Sequence, residues 1–414
     1  MKVLYLDSKF ATPRKSAPTR AYAFARHLVE RGHEVTMIGR DPGWLETNGD
    51  RRRHGLVTRE QVDGIEVVWL NIPYRNDYSK YRRIAAYGGF MTAAALAGAM
   101  LPRHDVVYAS SIPLTIGVPG ATTAGLKRVP FVFELQDVWP AVPIGVGALT
   151  HPREIALAER LEQTLYRRAE RIVVCSPMQR DLVVERGYQA ERIVIIPNFA
   201  DTRLFPGEVD EAWRPSLGLE GKFVALYTGG MGRSSGIQQL FDAAVALHDA
   251  GEREIALVAY GRGSERPRLE REARERRLEN LRFPDIVPRE RIPGIVAASD
   301  LTLTLFASFP ILQQNSPNKF FDGLAAGKAV VVNLDGWLRR IVEENSAGVY
   351  VPAGDGPALA DALVELARQP ERLGEMGRNG RAVAEREFAR DLLADRLVAT
   401  LEDAVAARDA PQHV

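Results

Sequence analysis

A strand-then-helix alternation that runs twice through the 414 residues constrains the fold of this chain more than any other feature. Short apolar runs alternate with segments whose apolar residues recur at helical spacing, such as 20–31, which ends at Gly32. This alternation predicts parallel sheets covered by helices on both faces. In the first half the predicted strands are 3–7, 34–38, 65–70, 105–109, 129–134, 171–175 and 193–196.

The alternation restarts after a turn-rich stretch at 197–221. Predicted strands then lie at 223–228, 255–260, 281–283, 301–306, 329–333 and 348–351, with helices at 238–250, 265–277 and 357–368. Two Rossmann-like domains in series are the simplest interpretation, and the α/β class follows from it. The helical segment at 370–407 lies beyond the second predicted sheet.

Composition excludes several protein classes. With 46% hydrophobic and 26% charged residues, the chain has the composition of a globular protein, unlike a fibrous, disordered or polytopic membrane protein. A single cysteine, Cys175, excludes a disulfide framework and a multi-cysteine zinc site. Strand-like residues 3–6 directly follow Met1-Lys2, where a signal peptide would have its apolar segment, so we expect a cytoplasmic protein.

Charge is unevenly distributed along the chain. The first 200 residues hold 27 Lys and Arg against 20 Asp and Glu, and the remainder holds 27 against 33. The basic first half predicts an anionic partner. No basic repeat with interleaved aromatic residues is present, so a membrane surface or a phosphate-bearing acceptor fits better than a nucleic acid.

Residues 84–101 are eighteen consecutive uncharged residues, close to the shortest membrane span. The segment is rich in alanine and glycine, which contribute little transfer free energy. A buried domain helix is the first interpretation, a helix lying on a membrane surface is the second, and a true span is the weakest. The preceding aromatic and basic residues, 78–83, suit a headgroup layer and equally suit a solvated helix start.

A glycine-rich loop at 228–236 follows the first strand of the second half. Gly230 and Gly232 would let the backbone approach a ligand, and the following helix offers free amides to an anion. Arg233 adds a fork of donors suited to phosphate oxygens. A tight turn that carries a surface arginine is the alternative.

A second motif occupies 315–327. Ser316-Pro317 predicts a helix start, with serine as the cap and proline at the first position. Lys319 would then lie in the first turn, where a cation opposes the helix dipole, and an anion there would neutralise both. Asp322, one turn beyond Asn318, could accept hydrogen bonds from a diol, or it could be a solvated surface residue.

A third motif, 133–140, follows a predicted buried strand at its carboxyl end, where open α/β sheets bind ligands. Glu134, Gln136 and Asp137 are polar groups that emerge from this apolar run. Alternatively, Asp137 only caps a turn before Trp139-Pro140.

Missing motifs narrow the choice further. The first predicted strand is followed by no G-x-G-x-x-G, and the chain has no G-x-x-x-x-G-K-[ST], so dehydrogenases and P-loop NTPases lose support. There is also no Asp-x-Asp of the metal–nucleotide type, and the seven histidines do not cluster at ligand spacing. We expect no metal and no cofactor, and a reaction on a diphosphate-containing ligand.

These motifs together resemble the family 4 retaining glycosyltransferases of the GT-B fold, over essentially the whole chain. The chain is most similar to the branch that builds bacterial O-antigen and capsular polysaccharides, including N-acetylfucosaminyl transferases. The resemblance is carried by residues 31–36, 132–140, 196–201, 227–236, 260–263 and 316–327.

The resemblance implies two Rossmann-like domains with a cleft between them. They are an acceptor-binding domain at 1–205 and a nucleotide-sugar domain at 206–385, and residues 386–414 form a helix that packs back on the first domain. The implied catalytic residues are Arg233, Lys319 and Asp137, and those implied for the acceptor are Arg20, Glu134 and Gln136. The implied donor residues are Gly230, Gly232, Arg233, Arg262, Ile286, Gln314, Asn315, Ser316, Asn318, Lys319 and Asp322.

The chain departs from the family pattern at several positions. Gln314 replaces the first glutamate of the E-x7-E pair, and Asp322 replaces the second. Ser235 stands where a lysine often follows the loop arginine. Residues 15–20 replace a glycine-rich loop, and Gln136-Asp137 replaces a His-Asp pair.

The resemblance implies a metal-independent, retaining transfer of a hexosyl or N-acetylaminosugar from a nucleotide sugar, with UDP as the expected nucleotide. The acceptor would be a glycan or a polyprenyl-diphosphate-linked glycan at the inner face of the cytoplasmic membrane. A non-catalytic nucleotide-sugar-binding protein, or another GT-B enzyme such as a nucleotide-sugar epimerase, is the alternative.

Overall fold

The structure is a computed structural model that describes residues 1–12, 20–41, 55–74, 78–111 and 113–409. The described chain forms two compact units. Unit 1 comprises Met1–Pro197 and Asp391–Val414, and unit 2 comprises Asn198–Arg390. Each unit is described separately below.

Unit 1 is built on a sheet of eight described strands in the order β3-β4-β2-β1-β5-β6-β7-β8. The strands are β1 (Lys2–Asp7), β2 (Glu34–Arg40), β3 (Val57–Val62), β4 (Ile65–Leu70), β5 (Val106–Ser111), β6 (Phe131–Leu135), β7 (Arg171–Val174) and β8 (Ile193–Ile195). All neighbours pair in parallel except β3 and β4. The prediction of a wholly parallel sheet is therefore wrong at this edge.

The helices of the first part of unit 1 alternate with these strands, as the sequence predicts. They are α1 (Arg20–Glu30), α2 (Lys80–Met100), α3 (Gly117–Lys127), α4 (Ala141–Gly145), α5 (Pro152–Arg168) and α6 (Pro177–Glu185). The predicted stop of α1 is confirmed, because Gly32 has a φ of +81° and its N–H donates to the Val29 carbonyl. Core side chains from α2, α3, α5 and α6 form one apolar cluster with the sheet.

Helix α2 carries the long uncharged segment and is buried on one side. Phe90, Ala94 and Ala97 belong to the core cluster, whereas Ile84 and Met100 are 55% and 77% exposed. Gly98 lies against Thr123 of α3 so closely that a side chain there would meet the threonine hydroxyl. No helix in the described part of the chain is apolar over enough of its length to cross a membrane. The interpretation as a domain helix is confirmed for the inner side of α2.

Unit 2 contains a six-stranded parallel sheet in the order β11-β10-β9-β12-β13-β14. The strands are β9 (Phe223–Thr228), β10 (Ile255–Tyr260), β11 (Leu281–Arg282), β12 (Leu301–Thr304), β13 (Ala329–Val332) and β14 (Gly348–Tyr350). The helices are α7 (Trp213–Ser216), α8 (Ile237–Asp249), α9 (Arg266–Glu275), α10 (Ile292–Ala298), α11 (Asn318–Ala325), α12 (Trp337–Glu344), α13 (Gly356–Ala367) and α14 (Pro370–Glu387). Its core cluster includes side chains from α8, α9 and α13.

The last helix, α15 (Arg390–Asp409), belongs to unit 1 from Asp391 onward. Asp395 accepts hydrogen bonds from His27 and Arg31 of α1, each at 2.6 Å. Arg396 donates to the carbonyl of Ile195, at the end of β8. Residues at the two ends of the sequence are thus joined within one unit.

Candidate functional site

The glycine-rich loop after β9 packs its backbone against the loop after β10. The Gly229 N–H donates to the Tyr260 carbonyl at 2.9 Å, and the Met231 N–H donates to the Arg262 carbonyl at 2.8 Å. Gly261 has a φ of +153°, and a Cβ atom there would lie 1.7 Å from the Gly229 carbonyl oxygen. This backbone contact requires glycine at position 261.

The predicted ligand side of the loop is open. A Cβ atom at Gly230 or Gly232 would meet no heavy atom within 4 Å. Arg233 and Arg262 are both exposed. Arg233 lines a cavity of about 500 Å³ together with Gly232, Gln238, Arg268 and Phe306.

A second cavity, of about 340 Å³, opens at the carboxyl ends of β9 and β10 and the start of α11. It brings together four predicted donor residues, Ile286, Asn318, Lys319 and Asp322. Its wall also includes Thr228, Gly229, Tyr260, Gly261 and Arg289. Arg233 is not among its lining residues, but Phe306, which lines the first cavity, also contacts Lys319.

The ammonium group of Lys319 lies among aromatic rings. Its Nζ atom is 3.8 Å from the ring centre of Tyr227 and 5.2 Å from that of Phe306. Burial lowers the pKa of Lys319 to about 7, and no carboxylate offsets that effect. Within the described residues Lys319 makes no ion pair. A cation with these surroundings, in the first turn of a helix, is suited to bind an anion.

Asp322 lies one turn after Lys319 on α11 and faces the same cavity. Burial raises the pKa of its carboxyl to about 7, and Asp201 adds to the rise while Arg289 opposes it. The ionised Asp322 carboxylate can accept hydrogen bonds from hydroxyl groups of a ligand. Such hydrogen bonds favour the ionised form and would lower the raised pKa. Lys319 and Asp322 thus line one cavity in the described structure.

The predicted cap of α11 is wrong. The helix starts at Asn318, and the capping position is Pro317, which has no side chain that can accept a hydrogen bond. The hydroxyl of Ser316 instead accepts the N–H of Asn198 at 3.0 Å, and its carbonyl accepts the Asn198 side-chain amide. Ser316 therefore links the first residue of unit 2 to the segment that precedes α11.

The residues before Ser316 are largely enclosed. Gln314 is 2% exposed, although the family resemblance implies that it binds the donor. The carbonyl of Asn315 accepts the indole N–H of Trp337 at 3.0 Å, and its side-chain oxygen has no hydrogen-bond partner among the described residues. Neither residue lines the cavity that holds Lys319.

In unit 1, two of the three predicted acceptor residues form a buried ion pair. Arg20 Nε lies 2.8 Å from Glu134 Oε1, and the two side chains are 6% and 0% exposed. Arg20 also donates to the carbonyls of Ile196 and Pro197 and lies over the ring of Phe24. Burial disfavours its charge, but the pairing with Glu134 raises the pKa of Arg20. The guanidinium is thus occupied within unit 1.

The third predicted acceptor residue, Gln136, extends this network toward the surface. Ser110 Oγ donates to Glu134 Oε2 at 2.5 Å, and Gln136 Nε2 donates to Ser110 Oγ at 2.7 Å. Gln179 donates to the Gln136 carbonyl and holds this turn in place. Gln136 itself is half-buried, so part of its side chain is accessible.

Two aspartates adjoin this hydrogen-bond network. Asp137 is the residue after Gln136, and Asp7 is close enough to Glu134 to feel its charge. Burial raises the pKa of Asp137, and Lys9 partly opposes the rise. Burial also raises the pKa of Asp7 to about 7, and Glu134 adds to this effect. Nowhere in the described residues do three or more His, Cys, Asp or Glu side chains lie close enough to hold a metal ion.

Two family models match the chain, one over unit 1 and the other within unit 2. The Glycosyl transferase 4-like domain matches residues 17–198, and the Glycosyl transferases group 1 family matches residues 222–369. Together these stretches cover most of the sequence. The chain belongs to the family 4 glycosyltransferases.

This glycosyltransferase has a relative of similar length in Escherichia coli K12. The relative is WcaI, which is named as a glycosyl transferase of colanic acid biosynthesis. The two chains are 24% identical over 383 residues, which is 88% of this chain and 90% of WcaI.

Solved structures show the fold of this glycosyltransferase. A sucrose-phosphate synthase from Thermosynechococcus elongatus matches with a TM-score of 0.76 at 16% identity, over 98% of this chain and 99% of that one. Anabaena Alr3699/HepE, in complex with UDP and glucose, matches with a TM-score of 0.70 at 18% identity, over 97% and 100%. The two α/β units therefore have the GT-B fold.

Sequence reasoning missed several residues that shape these sites. Tyr227 and Phe306 surround Lys319 but belong to other elements, so no local pattern links them to it. Asp7 could have been found, because it ends a buried strand at the edge where such sheets bind ligands. Of the predicted loop 15–20, residues 15–19 lie outside the described part of the chain.

Proposed function

We propose that this glycosyltransferase transfers a hexosyl or N-acetylaminosugar residue from a UDP-sugar, with retention and without a metal. N-acetylfucosamine is among the sugars that the proposal covers. The observation that carries the proposal is Lys319, a half-buried cation with no carboxylate partner among the described residues, in the same cavity as Asp322. The complex of Anabaena Alr3699/HepE with UDP and glucose supports UDP as the nucleotide.

The donor is proposed to bind in unit 2. Ile286 would contact the nucleotide base and Asp322 the ribose hydroxyls. Lys319 and Arg233 would contact the diphosphate from two sides, and the open face at Gly230 and Gly232 leaves room for it. The cationic groups would stabilise the negative charge that develops on the leaving diphosphate.

The reaction is proposed to occur on one face of the sugar. The bond between the anomeric carbon and the phosphate oxygen breaks, and a bond to the acceptor oxygen forms on the same face. The proton of the acceptor hydroxyl passes to the departing phosphate oxygen, so atoms and charge balance. Asp137, with Gln136 beside it, would orient the acceptor hydroxyl from unit 1. The buried ion pair of Arg20 and Glu134 would hold the strand end that positions them.

Polysaccharide synthesis is the proposed setting, and WcaI is named for it. The acceptor would be a glycan or a polyprenyl-diphosphate-linked glycan. The partner surface proposed for a membrane is the outer face of α2, where Tyr81, Ile84, Leu96 and Met100 are exposed at helical spacing. Between residues 78 and 133 the sequence has six basic residues and one acidic residue, Asp105, which suits an anionic bilayer.

Donor turnover tests the proposed reaction. UDP-, GDP- and dTDP-sugars would be incubated with the protein and EDTA, and nucleotide release would be measured with Asp322→Ala as the control. Slow release from a UDP-sugar that resists EDTA and is lost in Asp322→Ala is expected. Release that requires a metal, or a preference for another nucleotide, would contradict the proposal. Thermal stabilisation by a sugar nucleotide without release, even with acceptor glycans added, would favour a binding protein.

Arg233 provides a second test of the donor site. Arg233→Ala is expected to lower turnover at least tenfold, which corresponds to about 1.4 kcal/mol. Arg271→Ala is its control, because Arg271 is an exposed arginine on α9 of the same unit and lines neither cavity. Unchanged turnover in Arg233→Ala would remove that side chain from the site.

Vesicle binding tests the proposed membrane surface. The protein is expected to co-sediment with phosphatidylglycerol vesicles and not with phosphatidylcholine vesicles. The double variant Ile84→Asp/Leu96→Asp should lose this binding. Leu392→Asp, at an exposed leucine of α15, should keep it. Equal binding of the double variant and the parent protein would exclude α2 as the surface.

A further inference from the structure

Arg40, the last residue of β2, lies in a cage of aromatic rings at the carboxyl end of the unit 1 sheet. Its guanidinium carbon is 4.9 Å from the ring centre of Tyr74, 5.0 Å from that of Phe90 and 6.0 Å from that of Tyr87. Tyr87 and Phe90 belong to the first half of α2. The carboxyl ends of strands are where open α/β sheets bind ligands.

Among the described residues, no acid matches the charge of Arg40. Its Nε and Nη2 atoms are buried and have no hydrogen-bond partner among the described residues. Burial lowers the pKa of Arg40, and the groups that oppose this are the two tyrosines, with no carboxylate. Rings attract a cation through their faces but accept its N–H groups poorly. Buried guanidinium N–H groups without a hydrogen-bond acceptor cost free energy. The cage is therefore suited to bind a ligand that supplies an acceptor.

The tyrosines of the cage have a hydrogen atom to donate. The hydroxyls of Tyr74 and Tyr87 lie 2.7 Å apart, so one of their two protons is shared between them. The other proton is free to point to a further acceptor. Arg83, on the preceding turn of α2, acts electrostatically on Tyr87 and adds a second positive charge nearby. The cage therefore offers two guanidinium donors, one phenol donor and an excess of positive charge.

We propose that Arg40 and the Tyr74–Tyr87 pair bind a phosphate group of the acceptor substrate. A phosphate has several acceptor oxygens, and two of them match the adjacent Nε and Nη2 donors of one guanidinium while a third can accept from phenol. The proposal rests on the proposed function for the role of the ligand as acceptor. It assigns this contact to Arg40 and not to Arg20, which the resemblance implies for the acceptor but whose guanidinium is occupied by Glu134.

The test uses the full-length protein saturated with UDP, so that the Lys319 cavity is filled before a second anion is added. Inorganic pyrophosphate and farnesyl diphosphate are the probes, and binding is measured by titration calorimetry and by ³¹P line broadening. Arg40→Met is the test variant. Arg103→Met is the matched control, because Arg103 is an exposed arginine of the same unit and its loss changes the net charge equally.

Arg40→Met is expected to weaken the binding of both probes at least tenfold and to leave UDP binding unchanged, and Arg103→Met should bind like the parent protein. Tighter binding of farnesyl diphosphate than of pyrophosphate would identify a lipid-linked phosphate, and equal binding would identify the phosphate alone. No binding of either probe by the parent protein, or equal binding in Arg40→Met, would overturn the proposal. So would an equal loss in both arginine variants.

A second variant covers a folding defect in Arg40→Met. Tyr87→Phe keeps the ring and removes the hydroxyl that bonds to Tyr74, so it should fold and still weaken probe binding. Unchanged binding in Tyr87→Phe together with an unfolded Arg40→Met would also overturn the proposed site. Failure of UDP to bind would contradict the proposed function alone, because the anion probes report on unit 1 independently.

Discussion

Arg20 of unit 1 and Lys319 of unit 2 each stand in the first turn of a helix, α1 and α11. Arg20 is buried and Lys319 is half-buried. Arg20 lies against Glu134 and two backbone carbonyls, so its positive charge is balanced within the protein. Lys319 lies against Tyr227 and Phe306, and no carboxylate of the described residues lies near enough to restore its pKa. Arg20 therefore supports the fold, whereas Lys319 keeps a positive charge that a ligand can balance.

This difference teaches how a buried cation should be interpreted. Its position at a helix start does not distinguish a structural from a binding role. The deciding property is whether the protein itself supplies the counter-charge. Arg40 lies between the two cases, because aromatic rings surround it and no acid of the described residues pairs with it.

The largest effect is expected from breaking the balanced pair. Arg20→Met leaves the carboxylate of Glu134 buried without its cation, which should lower the free energy of unfolding by about 3–5 kcal/mol. Urea unfolding measures this loss. The double variant Arg20→Met/Glu134→Gln should recover part of it, since no charge then remains buried. A single variant as stable as the parent protein would show that the pair does not support the fold.

Removing the unbalanced cation should have the opposite effect on stability. Lys319→Met is expected to weaken UDP-sugar binding about 10–100-fold, as for the loss of a charge-assisted hydrogen bond. Without ligand, its melting temperature should equal or exceed that of the parent protein, because a desolvated ammonium has been removed. Calorimetry and thermal unfolding measure the two effects. A lower melting temperature with unchanged affinity would reverse the comparison.

The pH dependence of donor binding sharpens the comparison further. The pKa of Lys319 is about 7, and a bound diphosphate favours the ammonium, so affinity should fall as the pH rises above 7. The pKa of Asp322 is also about 7, and ribose hydroxyls favour the carboxylate, so affinity should fall as the pH drops below 7. Titrations with a UDP-sugar, whose diphosphate does not ionise in this range, should show a maximum near pH 7.

Each limb of that profile is limited to about tenfold per pH unit for one proton. Lys319→Met should abolish the alkaline limb and keep the acid limb. An alkaline limb that persists in Lys319→Met would assign it to another group.

The smallest effect is expected at Ser316. Its hydroxyl accepts one backbone N–H from Asn198, so Ser316→Ala should lower the free energy of unfolding by about 1 kcal/mol. Thermal unfolding measures the change, and Ser308→Ala, at an exposed serine of the same unit, is the control. Because the hydroxyl is used within unit 2, donor affinity should stay the same. A tenfold loss of affinity would return Ser316 to the donor site.

The sequence predicted the parts of the fold that depend on neighbouring residues. Apolar runs and helical spacing located most strands and helices, because these patterns repeat within a few positions. Strand β3 was missed because Arg59, Glu60 and Gln61 make its centre polar, as suits an edge strand that lies half in solvent. Because β3 was missed, its antiparallel pairing with β4 was missed as well.

The candidate site was predictable only where one segment supplies it. Lys319 and Asp322 are one turn apart on α11, so their proximity could be expected from spacing alone. The partners of Arg20 and Ser316 lie more than a hundred residues away, and no local pattern identifies them. Arg40 carried no sequence signal, because its rings come from a loop and from α2.

The hydrogen bonds between α1 and α15 have a consequence for the order in which the protein is made. Unit 1 needs residues from both ends of the chain, and roughly two hundred residues of unit 2 lie between them. At about 5–20 residues per second, a ribosome needs roughly 10–40 s to make that insert. During this interval His27 and Arg31 have no Asp395 to pair with, and unit 2 is complete at Arg390, before Asp395 is made. The nascent chain therefore finishes its second unit before its first.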